Sequence, residues 1–237
     1  MKVRLTEIFT SIEGEGIFCG TKTLFVRLAG CPYGCFYCDT LDSLPLDSGT
    51  EYEIDEACDM ISRELQPSTY KVNFTGGDPL IQHEAVAEMA KFVQSKNVPT
   101  YLESSCFEVQ RFSHVLSFID IVKIEFKTVE SGFVSPEQHP KLFEQALECL
   151  EGSILAEKKT YIKIVVSSKT NFVDFEIMLE KIFSNSAATK ILGLIIQPTH
   201  GIAEPKLPLL MQMYDAAAKY HVTVRVVPQM HKAIGAP

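Results

Sequence analysis

Apolar and polar positions follow two different periods along the chain, which predicts alternating strands and helices. Runs rich in β-branched and aromatic residues predict strands, and apolar stripes repeating every three to four residues predict helices. Strands are expected at residues 23–29, 70–74, 99–103, 119–126, 161–166, 191–196 and 222–227. Helices are expected at residues 54–65, 83–95, 137–150, 172–183 and 207–220. Strands alternating with helices of about 10–15 residues indicate βαβ units with parallel pairing.

The number of predicted strands favours an incomplete barrel of the α/β class. About seven strands are too few for a complete (β/α) barrel, which has eight strands and usually about 250 residues. We therefore expect residues 1–237 to form one domain built as a partial (β/α) barrel. In such folds ligands bind beyond the C-terminal ends of the strands. Polar or reactive segments follow five of the predicted strands, and they begin at Cys31, Thr75, Glu103, Lys127 and Gln197. We expect these five ends to meet at one site.

Composition and charge restrict the partners. The 237 residues carry 22 Lys and Arg against 30 Asp and Glu, a formal net charge of −8. A net negative charge disfavours non-specific binding to nucleic acid or to an anionic membrane, so neither is expected as a partner. No apolar run approaches the roughly 20 residues of a membrane helix, and residues 1–16 lack the apolar core of a signal peptide. We therefore expect a cytoplasmic protein.

Three of the seven cysteines, Cys31, Cys35 and Cys38, lie within eight residues. A disulfide framework is not expected in the cytosol, so this cluster indicates a metal or redox site. Four cysteines saturate a structural zinc or an electron-transfer [4Fe–4S] cluster, whereas three leave one iron open. The spacing C-x3-C-x2-C fits S-adenosylmethionine (SAM) radical enzymes, in which SAM chelates the open iron. A zinc site completed by a distant His or Cys is the alternative.

Three further segments carry polar or glycine-rich motifs. In residues 75–79, T-G-G-D-P, two glycines at a strand end let a backbone edge approach a ligand. Radical SAM enzymes have a G-G-E-like segment at this place, which pairs with the SAM amino group, and here the acid is Asp78. Residues 11–16 form a polar loop with two glycines, and residues 228–237 form a tail with His231. Taken alone, such a loop most often only connects elements, and such a histidine most often lies in a surface turn.

Together these motifs resemble one family closely, the 7-carboxy-7-deazaguanine synthases (QueE family) of the radical SAM superfamily. The family pattern S-I/V/L-Q-G-E-G, G…F-x-R-x-A-G-C, C-x-x-C-D-T, T-G-G-E/D-P, Q-P and Q-x-H-K recurs in this order between Glu7 and Pro237. C-D-T and G-E-G are more specific than the cysteines alone. The resemblance implies a partial (β/α) barrel of the radical SAM type, with the tail 228–237 closing the active site.

The resemblance also implies roles for individual residues, with the radical generated by the cluster and SAM rather than by a catalytic side chain. Cys31, Cys35 and Cys38 would hold a [4Fe–4S] cluster, and Thr40 would bind Mg²⁺. The substrate would contact Ile12, Glu13, Gly14, Glu15, Arg27, Thr75, His231 and the carboxylate of Pro237. Arg27 would pair with the substrate carboxylate. SAM would lie against Tyr37, Cys38, Asp39, Gly77, Glu125, Phe126, Lys127, Gln197, Pro198, Thr199 and His200.

The reaction implied by the resemblance converts 6-carboxy-5,6,7,8-tetrahydropterin to 7-carboxy-7-deazaguanine. The ring contracts with loss of ammonia, and the product enters 7-deazapurine biosynthesis toward queuosine or archaeosine in transfer RNA. The implied cofactors are the [4Fe–4S] cluster, SAM and Mg²⁺. The implied partners are the pterin substrate, an electron donor such as flavodoxin or ferredoxin, and a second copy of the chain in a homodimer.

Three positions depart from the family pattern. Glu13 stands where the family usually has Gln, and Glu103-Ser104-Ser105 replaces E-T-N-G. Glu125-Phe126 precedes Lys127 where the family commonly has Ser-Pro, and this ending looks more like the D-x-K of glycyl-radical activases. Another radical SAM enzyme, such as an activase acting on a protein, is therefore the first alternative. A zinc- or cluster-binding regulator without turnover is the second.

Overall fold

Nine strands and seven α-helices make up the computed structural model, which describes residues 1–184 and 186–236. The strands are β1 (Lys2–Ile12), β2 (Lys22–Leu28), β3 (Thr50–Glu53), β4 (Lys71–Gly76), β5 (Thr100–Ser104), β6 (Ile121–Glu125), β7 (Lys159–Val166), β8 (Leu194–Pro198) and β9 (Val224–Val226). The helices are α1 (Ile54–Glu64), α2 (His83–Ser95), α3 (Val109–Leu116), α4 (His139–Leu155), α5 (Phe172–Phe183), α6 (Leu207–Ala218) and α7 (Met230–Ile234). None of the described helices has the length and apolarity needed to cross a bilayer.

All nine strands belong to one sheet in the order β3-β1-β2-β4-β5-β6-β7-β8-β9. β1 pairs antiparallel with β2 and β3, and every neighbouring pair from β2 onward is parallel. In the described part of the chain β3 and β9 do not pair with each other, so the barrel stays open. The predicted α/β class and partial barrel are confirmed.

The seven predicted strands correspond to β2 and β4 to β9, and the five predicted helices to α1, α2, α4, α5 and α6. β1, β3, α3 and α7 were not predicted. β1 alternates buried apolar residues such as Val3 and Leu5 with polar ones, so no continuous apolar run marks it. α3 has only 8 residues, which gives its apolar stripe about two turns in which to repeat.

Local capping explains where several helices begin. At the start of α1, the Glu53 side chain accepts from the backbone N–H of Glu56, and the Glu56 side chain accepts from the backbone N–H of Glu53. This reciprocal arrangement satisfies two donors that a helix N-terminus otherwise leaves free. At the start of α5, Asn171 accepts from the backbone N–H groups of Val173 and Asp174. Both helices then place their apolar faces in the core, α1 against β1 and α5 against α6.

The two faces of the sheet differ in polarity, because successive side chains of a strand point to opposite faces. The outer face packs under the helices and forms the main core, which includes Val26, Phe74, Leu102, Ile124 and Ile164. The inner face has a small apolar floor of Tyr101, Ile121, Tyr161 and Ile195. The inner face also buries charged and polar residues, namely Lys71, Asn73, Lys123, Glu125 and Lys163. The inside of this barrel is therefore a polar site above an apolar floor.

Candidate active site

A cavity of about 840 Å³ opens where the parallel strands end. All five strand-end segments singled out from the sequence reach it, through Cys31, Thr75, Glu103, Lys127 and Gln197. Parallel strands bring their carboxyl ends to one edge of a sheet, which explains this convergence. Every predicted site residue among the described residues borders the cavity except Phe126. Pro237, whose carboxylate the sequence analysis assigns to the substrate, lies outside the described residues.

The three clustered cysteines lie in the loop after β2, all as half-buried free thiols. The backbone N–H of Cys31 donates to the carbonyl of Leu44 at 3.0 Å, which holds the start of the loop. Burial raises the pKa of Cys31 to about 12. Burial also raises the pKa of Cys35, although the nearby Lys127 ammonium opposes the change. A metal centre would therefore displace protons when it binds these thiols.

The distances among possible ligand atoms bear on whether the cysteines would hold one zinc ion or a cluster. The four ligands of one zinc ion each lie about 2.0–2.3 Å from it, so they approach one another closely. In the described residues, one trio of His, Cys, Asp or Glu ligand atoms lies within 4.8 Å of one another, and it is Glu15, Asp39 and His231. The three sulfurs therefore do not all lie within 4.8 Å of one another, as the ligands of one zinc ion would.

The glycine-rich segment after β4 lies directly against the cysteine loop. A Cβ added at Gly77 would overlap the carbonyl of Gly30, so only glycine allows this close approach. Asp78 is buried, and it accepts from the backbone N–H of Leu80 at 3.1 Å. It also accepts from the Ser104 hydroxyl at 2.8 Å and the Ser105 hydroxyl at 2.5 Å. The carboxylate that the sequence analysis relates to the SAM amino group is thus bonded to the end of β5, and Ser104-Ser105 supplies its partners.

Two buried polar atoms at the cavity have no hydrogen-bond partner within the described residues. They are the phenol oxygen of Tyr37, next to the last cluster cysteine, and the amide oxygen Oε1 of Gln197 at the end of β8. Both residues border the cavity. Buried polar groups are normally hydrogen-bonded, so these atoms indicate where a bound group would supply the missing partner. The cavity is thus suited to hold a polar cofactor beside the cysteines.

Two consecutive residues where β6 ends lie in different surroundings, Glu125 at the cavity and Phe126 in the core. Glu125 borders the cavity and forms ion pairs with Lys123 at 2.8 Å, with Lys163 at 3.3 Å and with Lys127. Burial opposes its ionisation, but the three ammonium groups hold the pKa of Glu125 well below its usual range. The Phe126 side chain instead lies in the core, with its ring 5.1 Å from that of Phe143. Strand alternation turns the Phe126 ring away from the cavity, so only its backbone can face it, and the contact of Phe126 with SAM stays a prediction.

The loop that connects β1 to β2 carries the G-E-G motif. Glu13 borders the cavity, but its carboxylate is bound by the fully buried Lys71 at 2.6 Å. The charge that distinguishes Glu13 from the family glutamine is therefore balanced within the barrel. Glu15 accepts from Lys163 at 2.8 Å, which ties the loop to β7. Gly16 has a φ of +68°, and a Cβ there would overlap the Tyr161 hydroxyl.

Arg27, Thr40 and Thr75 also face the cavity. The Nε of Arg27 donates to the Glu7 carboxylate at 2.7 Å, and its guanidinium lies 5.5 Å from the centre of the Phe9 ring. The Thr40 hydroxyl is 3.7 Å from the sulfur of Cys38. The Thr75 hydroxyl donates to Glu103 at 3.3 Å. These groups could therefore contact a molecule bound in the cavity. The roles that the family resemblance implies for them stay predictions.

The tail crosses the mouth of the cavity and joins two loops. The Gln229 amide donates to Glu15 at 2.8 Å and to Asp39 at 2.7 Å. The imidazole of His231 lies 3.5 Å from the same Asp39 carboxylate, and Lys232 lies 3.6 Å from it. We name this cluster the tail clasp (Glu15, Asp39, Gln229, His231 and Lys232). Cationic groups and an amide already surround Glu15 and Asp39, so we interpret the clasp as a set of hydrogen bonds and ion pairs that holds the tail over the cavity.

The residues at the end of β8 and directly after it, Gln197 to His200, border the same cavity as predicted. Sequence reasoning did not list some further lining residues, namely Glu7, Phe9, Lys123, Lys163 and Gln229. Glu7 and Phe9 belong to β1, which was not predicted. Lys123 and Lys163 alternate with apolar residues on β6 and β7, so strand periodicity could have placed them on the inner face. Gln229 belongs to the Q-x-H-K motif.

Comparison with known proteins is consistent with this geometry. The family model described as "4Fe-4S single cluster domain" matches residues 12–146. A radical SAM methyltransferase from Sphaerobacter thermophilus superposes with a TM-score of 0.64 at 11% identity, covering 94% of this chain and 77% of that one. The crystal structure of QueE from Escherichia coli superposes with a TM-score of 0.69 at 19% identity, covering 98% of this chain and 95% of that one. The chain therefore belongs to the 4Fe-4S single cluster domain family and has the fold of these two structures.

A full-length relative identifies the family within this class. A 7-carboxy-7-deazaguanine synthase from Archaeoglobus fulgidus is 32% identical, and the alignment covers 99% of both chains. The chain belongs to the 7-carboxy-7-deazaguanine synthase family. The activase alternative is not favoured, because the similarity to a synthase extends over the whole chain, including the tail.

Proposed function

We propose that this protein converts 6-carboxy-5,6,7,8-tetrahydropterin to 7-carboxy-7-deazaguanine in 7-deazapurine biosynthesis. The observation that carries the proposal is the convergence on one cavity of three free thiols, the G-E-G loop and Arg27. The cysteines are suited to hold an iron–sulfur cluster. The loop and the arginine are suited to bind a heterocycle that carries a carboxylate. The product would serve queuosine or archaeosine formation in transfer RNA.

The cofactors follow from the residues at the strand ends. Cys31, Cys35 and Cys38 would hold a [4Fe–4S] cluster with one iron open for SAM. The cluster and SAM, when bound, supply a 5′-deoxyadenosyl radical that abstracts a hydrogen atom from the substrate. Tyr37 and Gln197 have polar atoms without a partner among the described residues, and we assign them to the SAM side of the cavity together with Asp39, Gly77, Lys127 and residues 198–200.

The remaining cavity residues would orient the substrate. Arg27 would form a charge-assisted pair with its carboxylate, and Thr75 would donate or accept at its ring. The backbone of residues 12–14 would contact the pterin, with Glu15 and His231 closing over it from the tail clasp. Holding the substrate in one orientation, away from water, contributes to the rate by reducing the entropy lost on the way to the transition state.

The proposal includes further partners and the organisation of the chain. We infer an electron donor such as flavodoxin or ferredoxin, since the cluster must be reduced by one electron. We also infer a homodimer and a single domain over residues 1–237, closed by its tail, both by analogy with the family. The net charge of −8 gives no support for nucleic acid as a partner.

The test of the proposed function is an anaerobic assay of the reconstituted protein. SAM, a reductant and 6-carboxytetrahydropterin are added, and the products are identified by mass spectrometry. Formation of 7-carboxy-7-deazaguanine with release of ammonia is expected. Cleavage of SAM without any deazaguanine product would show a radical SAM enzyme with another substrate, and would refute the proposal.

The Mg²⁺ assignment to Thr40 has a separate test. One hydroxyl is a weak ligand for Mg²⁺, so the substrate must supply further oxygen ligands and the two should bind cooperatively. Product formation is expected to rise with Mg²⁺, and Thr40→Ala should reduce this response. Thr50→Ala is the control, since Thr50 lies on exposed β3 outside the cavity. An unchanged Mg²⁺ response in Thr40→Ala would remove Thr40 from the site.

A further inference from the structure

Glu7 and Arg27 stand directly opposite each other on β1 and β2. Opposite residues of an antiparallel pair bring their side chains together on one face of the sheet. The Oε2 atom of Glu7 accepts from the Nε of Arg27 at 2.7 Å. Both residues border the cavity. Because β1 and β2 fix their spacing, the contact is set by the sheet and not by a flexible loop.

The contact uses only one of the donor groups of Arg27. A guanidinium has five N–H donors in a rigid planar fork. Within residues 1–184 and 186–236, the structure gives the two terminal nitrogens, Nη1 and Nη2, no hydrogen bond or ion pair. The Arg27 side chain is only 16% exposed, so it lies in a largely enclosed part of the cavity. Two parallel donors in such a place match the two oxygens of a carboxylate.

A second contact, with the Phe9 ring, restrains the guanidinium. Its carbon lies 5.5 Å from the centre of the Phe9 ring, within the range of a cation–π contact. Phe9 is itself stacked on Phe25 at 5.0 Å with an angle of 10° between the rings. The Phe9 ring and the Glu7 carboxylate therefore restrain the same guanidinium at two places. Only the terminal edge is left for a ligand.

We propose that Glu7 is a positioning residue, which orients Arg27 so that its two terminal nitrogens bind the substrate carboxylate. The inference rests on the proposed function, because it takes that carboxylate as the ligand of Arg27. Glu7 does not touch the substrate. Its side chain is 52% exposed, so its ion pair with Arg27 adds little to the stability of the fold. Its contribution is to the orientation of Arg27.

The test compares two ligands on the reconstituted enzyme without reductant, so that ligands bind and are not converted. One ligand is 6-carboxytetrahydropterin, and the other is tetrahydropterin without the carboxylate. The ratio of their dissociation constants, measured by anaerobic calorimetry, gives the carboxylate preference of each variant. Glu7→Ala is expected to reduce this preference by about tenfold, because the guanidinium loses the hydrogen bond that fixes its Nε edge.

Glu7→Gln distinguishes orientation from charge. The glutamine amide oxygen can still accept from the Nε of Arg27, so most of the preference is expected to return. A preference that stays as low as in Glu7→Ala would overturn the positioning role. Glu51→Ala is the matched control: Glu51 also forms ion pairs on an edge of the sheet, its side chain is 39% exposed, and it lies outside the cavity.

Product formation and the carboxylate preference together distinguish a wrong role for Glu7 from a wrong reaction. If the enzyme forms 7-carboxy-7-deazaguanine and Glu7→Ala keeps the wild-type preference, or loses affinity for both ligands equally, Glu7 does not act through Arg27. If the wild-type enzyme forms no such product and shows no carboxylate preference, the proposed function fails and the inference fails with it.

Discussion

Two of the ion pairs that hold the first part of the chain to the barrel differ mainly in burial. At the floor, Glu13 and Lys71 are 2.6 Å apart, with side chains 6% and 0% exposed. At the mouth, Glu7 and Arg27 are 2.7 Å apart, with side chains 52% and 16% exposed. The two pairs have nearly the same distance and the same charges. Their surroundings decide what each contributes.

The floor pair is fully engaged with the protein. Lys71 also donates to the Thr23 hydroxyl at 2.7 Å, and its ammonium lies 4.9 Å from the centre of the Tyr101 ring. Burial raises the pKa of Glu13 in spite of its partner, which reflects the cost of removing the carboxylate from water. In the mouth pair, the two terminal nitrogens of Arg27 have no partner in the part of the chain that the structure describes. A buried pair therefore fixes the architecture, whereas a half-exposed pair leaves groups available to a ligand.

The largest expected effect concerns the mouth and changes function without unfolding the chain. Cys31→Ala, Cys35→Ala or Cys38→Ala should each abolish SAM cleavage, because each removes one of three cluster ligands. The wild-type protein, reconstituted anaerobically, should carry about four irons per chain, measured by iron analysis. Cys19→Ala is the control, a half-buried cysteine outside the cavity. Loss of SAM cleavage in Cys106→Ala would show that the ligand assignment is wrong.

The next largest effect is expected at the pair of Glu13 and Lys71, where it should lower the free energy of unfolding. Lys71→Met leaves Glu13 as a buried charge without its partner, so the free energy of unfolding should fall by about 3–5 kcal/mol. Urea denaturation measures this change. The double variant Glu13→Gln with Lys71→Met should recover much of the loss, since neither charge remains. Strictly additive effects of the two changes would contradict a coupled pair.

A smaller effect is expected where the tail meets the mouth. Gln229→Ala removes hydrogen bonds to Glu15 and Asp39, and the clasp is partly exposed, so we expect a loss of about 1–2 kcal/mol in local stability. Hydrogen exchange of residues 228–236 should then be roughly five- to thirtyfold faster. Gln66→Ala, which also changes a surface glutamine, should leave exchange in the tail as in the wild type. Unchanged exchange in Gln229→Ala would mean that other contacts hold the tail.

The smallest effect is expected from the mouth pair itself. Glu7→Gln should change the free energy of unfolding by less than about 1 kcal/mol, because water screens a half-exposed pair. Urea denaturation of Glu7→Gln, measured under the same conditions as Lys71→Met, compares the free energies of unfolding directly. A loss above about 2 kcal/mol would place the mouth pair in the same class as the floor pair, and would remove the distinction drawn from burial.

Part of this protein is determined by local sequence alone. The periods of apolar residues predicted β2, β4 to β9 and five helices, and the rule for parallel strands predicted that five strand ends meet. The cysteine spacing and the C-D-T and G-E-G motifs indicated the chemistry. These features are predictable because they depend on residues that are neighbours in the chain, or on a rule that holds for every parallel sheet.

Tertiary structure alone decided which charges meet. Lys71 binds Glu13 from 58 residues away along the chain, and Asp78 binds Ser104 and Ser105 at the end of another strand. Period-two alternation indicates which face a side chain takes, and it would have turned Phe126 into the core. It does not indicate which partner lies opposite, because partners depend on strand order and register across the whole sheet. The departures at Glu13 and Glu125 could therefore be explained only once the sheet had brought their lysines beside them.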